Sequence, residues 1–279
     1  MSKKTRVASV QSIVRLAPDV RAPPADAPPL NRLLASLPAA DYRRLRPCLT
    51  TMPIRVRQVL QRRGEPIRAV FFPNGGVVSI TTPLMDGTSV EAATVGDEGM
   101  LGIEAFLDVD AVAPGDTLIQ VPDTSVERMG VDDFRREVAA LGSFRTAMGR
   151  YTQVVIAQMM QTTACNAIHP VAQRCARWLL MTHDRMHEQD FTLSHEFLAV
   201  MLGVQRPTVS VVAATLQEAG LIRYTHGRVT VRDRSGLEAA SCECYRIIRA
   251  HFDRLHTTRR PPRESSSSRQ SAVPPLKAM

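Results

Sequence analysis

Four side chains at the head of one short amphipathic stretch, Gln205, Arg206, Thr208 and Ser210, offer the clearest chemistry in the chain. An arginine presents two parallel N–H donors, which match the N7 and O6 acceptors of guanine in the DNA major groove; glutamine and hydroxyl groups can assist at neighbouring base edges. Arg223, Arg228 and Arg232 follow downstream, and cations there suit backbone phosphates, which position a protein without being read as sequence. A second candidate group is the Cys242-x-Cys244 pair. Read as part of a continuous helix, its two thiols point about 200° apart around the axis, so one ion could not engage both. Cys244 then falls on an apolar stripe, as Cys175 does on another, and a buried free cysteine behaves as a small hydrophobe. The expectation is therefore no metal. No G-x-S-x-G, Walker lysine or H-E-x-x-H occurs, the seven histidines are scattered, and no catalytic residues are expected.

The elements that must carry the four residues lie between Phe191 and Val231. Leu198, Met201 and Leu202 recur at helical spacing, with Ser194 as an N-cap. Gly203 marks a turn. A second helix follows, with Val209, Val212, Ala213 and Leu216 on its buried face. Pro207 fits only in its first turn, and Gly220 sits where a C-terminal cap belongs. Leu221 to Tyr224 and Val229 to Val231 alternate like strands around a His226-Gly227 turn. Two helices joined by a glycine turn make a helix-turn-helix. A plain packing hairpin has the same pattern; the ribbon and the basic residues favour DNA.

The stretch LSHEFLAVMLGVQRPTVSVVAATLQEAGLI resembles the DNA-binding domain of the catabolite-activator and fumarate-nitrate-regulator (Crp/Fnr) family of bacterial transcription regulators. Gly203, Arg206, Thr208-Val209, Leu216 and Gly220-Leu221-Ile222 carry the resemblance, which extends more weakly back to about Leu30. Pro207 departs from it, standing where family members often carry an acidic residue that reads a cytosine. The resemblance implies an α+β fold: an N-terminal antiparallel β-roll of the cyclic-nucleotide-binding type, a long dimerisation helix and a C-terminal winged helix-turn-helix. It implies a homodimer on double-stranded DNA. Family members that bind cyclic AMP hold it with a glutamate and a following arginine-serine pair. Here Ile103 stands at the glutamate position, with Glu104 beside it. Asp108 to Asp123 holds no arginine or lysine, but does hold Asp108, Asp110 and Asp116. Burying a phosphate without a cation is costly, so cyclic AMP is not expected. Gly96, Gly99 and Gly102 make a loose phosphate-loop pattern with no lysine after it. The family's iron–sulfur members carry an N-terminal cysteine cluster; Met1 to Pro47 has none, Cys48 is alone, and no such cluster is expected.

Composition agrees. The 279 residues suggest two domains, and a net charge of +8 suits a polyanionic partner. Five cysteines make no disulfide framework and fit a reducing compartment. No signal peptide or membrane span is evident, so a cytoplasmic protein is expected. The expected organisation is a disordered arm over 1–29, the β-roll over 30–142, the dimerisation helix over 143–165, a hinge over 166–170, the winged domain over 171–255, and a disordered basic tail over 256–279. Within the roll, strands are expected from Ile54 to Leu60 and over 69–72, 77–80, 89–92, 117–121 and 125–129, with a turn at Asp86-Gly87. On the long helix, Phe144, Met148, Tyr151, Val155, Gln158, Thr162 and Cys165 step by four and three, a seam suited to a second chain; a helix packed on its own roll is the alternative. Cys165 could then meet its symmetry mate and crosslink two chains on oxidation. His169 reads as a linker residue. Ser235 to Glu238 matches a capping box for one final helix. RNA polymerase is a candidate further partner, though no stretch identifies a surface for it. The rival reading is a ligand- or redox-sensing module that acts through protein partners, with the winged domain as scaffold.

Overall fold

The computed structural model describes residues 27–86, 88–123, 125–186 and 188–256. Most of the expected arm and tail, and Gly87 of the expected turn, lie outside the described residues. Two short helices, α1 (Arg32–Ala35) and α2 (Ala39–Leu45), lead into a 3-10 turn at Arg46–Cys48. Asn31 fastens this start to the body: its side-chain oxygen accepts from Leu34 N–H, and its amide donates to the carbonyls of Pro73 and Gly99 at 2.7 and 2.9 Å. Seven strands follow: β1 (Leu49–Pro53), β2 (Val59–Gln61), β3 (Ala69–Pro73), β4 (Val77–Pro83), β5 (Ser89–Val95), β6 (Asp116–Val121) and β7 (Ser125–Gly130). They pair antiparallel in two sheets, ordered β1-β7-β3 and β2-β6-β4-β5. The expected roll is therefore present. Ile54 and Val56 lie between β1 and β2 rather than in a strand. Helices α3 (Glu104–Leu107) and α4 (Val131–Ala140) complete this part.

The long helix α5 spans Gly142–Ile168. It runs three residues past its expected end, into the expected hinge, because Pro170 restrains only the residue before it: His169 takes ψ 143 and ends the helix. The expected seam needs correction. Phe144, Met148, Tyr151, Val155, Gln158, Thr162 and Cys165 are all buried within the single chain. Phe144 packs edge-on against Phe134 of α4, the Tyr151 hydroxyl donates to Met100 O at 2.7 Å, and the Gln158 amide donates to Thr94 O at 3.0 Å. A four–three apolar stripe fits a sheet as readily as a second helix; the chain's own roll covers most of it and the connection between the last two helices covers Cys165. Cys165, wholly buried, faces Cys242 of the same chain at 3.5 Å, so it is not placed to crosslink two chains.

Beyond Pro170 come α6 (Val171–His183), β8 (Asp190–Thr192), α7 (His195–Leu202), α8 (Arg206–Glu218), β9 (Ile222–Thr225), β10 (Arg228–Val231), α9 (Arg234–Ala240) and α10 (Cys244–His256). The ribbon gains a third strand, in the order β8-β10-β9. The expected single final helix is two. Asp233, not Ser235, caps α9, accepting from Gly236 N–H, and Ser235 bonds the same carboxylate. Ser241 is extended, so Cys242 and Glu243 lie in the connection between helices. The assumption behind the 200° separation of Cys242 and Cys244 therefore fails.

The two halves meet over the loop after β5. Arg185 is buried and lies 2.6 Å from Glu98; it also donates to Thr94 Oγ1 at 2.7 Å. Burial alone raises the Glu98 carboxyl, but the Arg185 charge and its hydrogen bonds reverse the sign and hold it below its ordinary value. The glycines of this loop serve packing rather than phosphate. A Cβ on Gly96 would stand 2.5 Å from the Arg185 chain, and one on Gly99 would collide with the Tyr151 ring and hydroxyl. Nearby, Glu91 accepts from Ser79 at 2.5 Å and from the Trp178 indole at 3.1 Å. Burial nevertheless pushes its carboxyl up to about 7, the hydrogen bonds opposing.

A folded Glu91 thus keeps its proton to about pH 7, whereas an unfolded one loses it near 4.5. Its stabilising contribution is complete below pH 4.5 and is lost as pH rises through 7. Urea or thermal melts between pH 5 and 7 are expected to lose stability at a slope approaching about 1.4 kcal/mol per pH unit from this group. Glu91→Gln should flatten that slope; an unchanged slope in the variant refutes the assignment.

Candidate nucleic-acid interface

Local chemistry builds the helix-turn-helix as the spacing requires. Ser194 caps α7, accepting from Phe197 N–H at 3.2 Å. Leu198, Ala199, Met201 and Leu202 face inward. Gly203 ends the helix at φ 62, in the left-handed region that side chains resist, and lets the chain turn into α8. Pro207 sits in the first turn of α8, where its missing N–H costs nothing. Val209, Val212, Ala213 and Leu216 anchor the inner face. Gln205, Arg206 and Thr208 are thereby held outward in solvent.

Arg206 is the centre of this surface. Its side chain is 60 % exposed and pairs across the turn with Glu196, itself 61 % exposed. The guanidinium is held over the head of α8 by a partner that solvent screens. Ser210 departs from expectation: it is half-buried, meets His195 Nδ1 at 3.0 Å and donates to Arg206 O at 3.3 Å. It braces α8 rather than facing outward. The His195 ring packs on Tyr224, centroids 4.5 Å apart. Burial, and then the Arg206 charge, push its imidazole below the ordinary value, favouring the neutral ring.

One exposed residue escaped the sequence reading. Val211, one turn beyond Thr208, is 67 % exposed. The available signal was a β-branched residue on the polar side of α8, and an apolar group there suits a thymine methyl. On the ribbon, His226 and Gly227 both take positive φ, 50 and 77, as a two-residue hairpin turn requires. Arg223, Arg228 and Arg232 are exposed. Arg228 pairs with Asp190 of β8 at 2.7 Å, so the third strand supplies its intramolecular counter-ion.

The segment Gly96 to Leu107, where the resembled family's nucleotide binders hold their ligand, lies against α5. The cavity between them, lined by Met100, Gly102, Glu104, Thr117 and Tyr151, encloses about 10 Å³. Groups able to hold a metal converge elsewhere, where Cys165, His169, Cys242 and Cys244 meet at the end of α5. Sequence reasoning set these aside; the overlooked signal was Ser241, a residue that favours helix caps, just ahead of Cys242. Among the described residues no single helix is long and apolar enough to cross a membrane.

Residues 173–240 match the family model of the Crp-like helix-turn-helix domain. No curated protein sequence matches the chain. Among solved structures, FixK2 from Bradyrhizobium japonicum is similar at 18 % identity and TM-score 0.58, over 70 % of this chain and 98 % of that one. A CRP-family transcriptional regulator from Thermus thermophilus is similar at 24 % identity and TM-score 0.55, over 69 % and 96 %. The c-di-GMP-responsive global regulator CLP of Xanthomonas campestris is similar at 16 % identity and TM-score 0.57, over 70 % and 99 %. These matches bear out the resemblance to Crp/Fnr regulators and the α+β fold with its helix-turn-helix.

Gly203 offers a clean test of the turn. No atom lies within 4 Å of a Cβ built there, so Gly203→Ala pays only for the left-handed backbone. The expected loss is about 1–2 kcal/mol in urea unfolding, with an unchanged m-value. No loss at all means that α7 does not need this turn.

Proposed function

We propose that this chain, a Crp/Fnr-type regulator by domain and fold, is a homodimeric, sequence-specific DNA-binding transcription regulator of the cytoplasm. The observation that carries the reading is the outward, solvent-held Arg206 at the head of α8, beside Gln205, Thr208 and Val211. Arg206 reads a guanine in the major groove; Gln205 and Thr208 assist. Exchanging Glu196 for guanine costs little, because the intramolecular pair is open to water. Arg223 and Arg228 anchor phosphates. The protein works by binding rather than by catalysis.

Dimerisation runs through the outward face of α5. Gly149, Gln153, Ile156, Met160, Thr163 and Ala167 step by four and three, as the inner stripe does. Ile156 is 52 % exposed and Met160 69 %, large apolar groups in the middle of that stripe. Two copies joined there deliver two recognition helices to successive major grooves. The roll senses something other than cyclic AMP: the 10 Å³ cavity holds about one water, and Asp108, Asp110 and Asp116 lie in the stretch where an arginine is wanted. RNA polymerase is a partner only if the protein activates. The rival reading, a sensor acting through protein partners, leaves the exposed α8 residues without a use.

Arg206→Ala should cost about 1–3 kcal/mol on the specific site and flatten preference at one base pair. Arg228→Ala should weaken all sequences alike and lower the salt slope by about one unit. Gel-shift titrations against specific and random duplexes separate the two; equal losses on both duplexes for both variants overturn the roles. Separately, Ile156→Glu with Met160→Glu should give a folded monomer by analytical ultracentrifugation. A dimer that survives both charges places the interface elsewhere.

A further inference from the structure

Four potential metal ligands converge where the long helix ends. Cys165 and His169 lie one turn apart at the end of α5, and Cys242 and Cys244 come from the connection between α9 and α10 and the first residue of α10. One ligand atom from each lies within 4.8 Å of all the others. Cys165 Sγ is 3.5 Å from Cys242 Sγ, and Cys244 Sγ is 3.5 Å from His169 Nδ1. A zinc ion bound at about 2.3 Å by sulfur spaces its tetrahedral ligands by about 3.8 Å, so two opposite edges of the tetrahedron are already close to closed.

The surroundings are those of a built site. Cys165, Cys242 and Cys244 are buried, at 0, 4 and 0 % exposure. The other nitrogen of His169, Nε2, lies 3.3 Å from the Glu243 carboxylate. A carboxylate on the far side of the ring orients a ligating imidazole and raises its basicity. The Gln161 amide donates to Cys244 Sγ at 3.0 Å. Three thiolates and a divalent ion sum to one negative charge, and α6, which follows the joint, carries the buried Arg177. The ligand set excludes hard cations, because three sulfurs and an imidazole suit zinc. It also argues against a two-iron cluster, whose core would spread the ligand pairs farther apart.

We propose that Cys165, His169, Cys242 and Cys244 form a closed Cys3His site for a zinc ion, which pins the end of α5 to the back of the winged domain. Binding converts three thiols to thiolates and releases their three protons to solvent, with no change of oxidation state. All four positions are filled by protein, so the site is structural and not catalytic. It brackets the His169-Pro170 break, so the ion fixes the chain at the joint between the long helix and everything that follows. The site stands apart from the DNA-binding reading, and its test uses no DNA.

The full-length protein, expressed with zinc in the medium and purified without chelator, should carry about one zinc per chain by plasma mass spectrometry. Cobalt substitution should give the visible ligand-field bands of a tetrahedral thiolate site. Cys242→Ser with Cys244→Ser should fall below about a tenth of an equivalent, while Cys48→Ser keeps the full complement. His169→Gln gives a second variant with the thiols intact, and circular dichroism confirms folding in each. A folded wild type that neither retains zinc nor takes up cobalt overturns the site. So does iron with acid-labile sulfide, or a Cys165–Cys242 disulfide in protein kept under reductant.

Discussion

The buried contact between Arg185 and Glu98 is the constraint on which the arrangement of the two halves rests. Removing a guanidinium and a carboxylate from water costs several kcal/mol for each ion, and only close, multiply bonded geometry recovers it. The surroundings supply that geometry. Arg185 donates to Glu98 through two nitrogens and to Thr94 through a third, and Gly96 N–H reaches the same Glu98 oxygen. Deleting one partner leaves the other buried without its closest counter-charge; Glu98 would keep only the partly exposed Arg32, at 3.9 Å. The C-terminal half is therefore docked on the roll by a contact that tolerates little displacement, and the loop after β5 must carry glycine at 96 to admit the arginine.

What docks also decides what is left free. Thr94 receives Gln158 from α5 and Arg185 from the end of α6, so one residue of β5 joins the roll to both. Trp178 reaches Glu91 on the same strand and packs its ring against Phe197 of α7; Met201 of α7 accepts from Gln120 of β6. The first helix of the helix-turn-helix is thus committed to the roll. With α7 held, the 62° φ of Gly203 and the inner valines of α8 direct its other face away from the body. The exposure of Arg206 follows from packing two helices away.

How much of this was legible depends on how local each determinant was. The helix-turn-helix is written in near neighbours, with Ser194, Gly203, Pro207 and Gly220 each acting within a turn of its own position. The roll was legible in its strand runs but not in its single-turn helix α3, and in the winged domain β8, three residues long, was too short to announce itself. The seam on α5 was legible as a pattern and misread as to partner. Phe144 to Cys165 record only that one stripe is buried, and the residues that bury it are tens of positions away. The Cys-x-Cys reading failed on a competition between caps. Asp233 caps α9 through Gly236 N–H while Ser235 donates to that same carboxylate, α9 starts earlier and stops at Ala240, and the cysteines fall in the break.

Helix α5 emerges as the element on which three independent demands fall, each on a different part of it. Its inner stripe is occupied by the roll, its outer stripe holds Ile156 and Met160 in solvent, and its last turn presents Cys165 and His169 toward Cys242 and Cys244. A helix so loaded cannot slide along its axis without disturbing Tyr151 on Met100 and Gln158 on Thr94, both buried hydrogen bonds. On the proposed reading, a signal at the roll therefore acts by changing the tilt of α5 or the angle at His169-Pro170, where two extended residues separate two helices. A metal at that joint would stiffen the extended His169-Pro170 step between the two helices. Sensing and DNA reading would then be coupled through a short rigid lever rather than through a flexible linker.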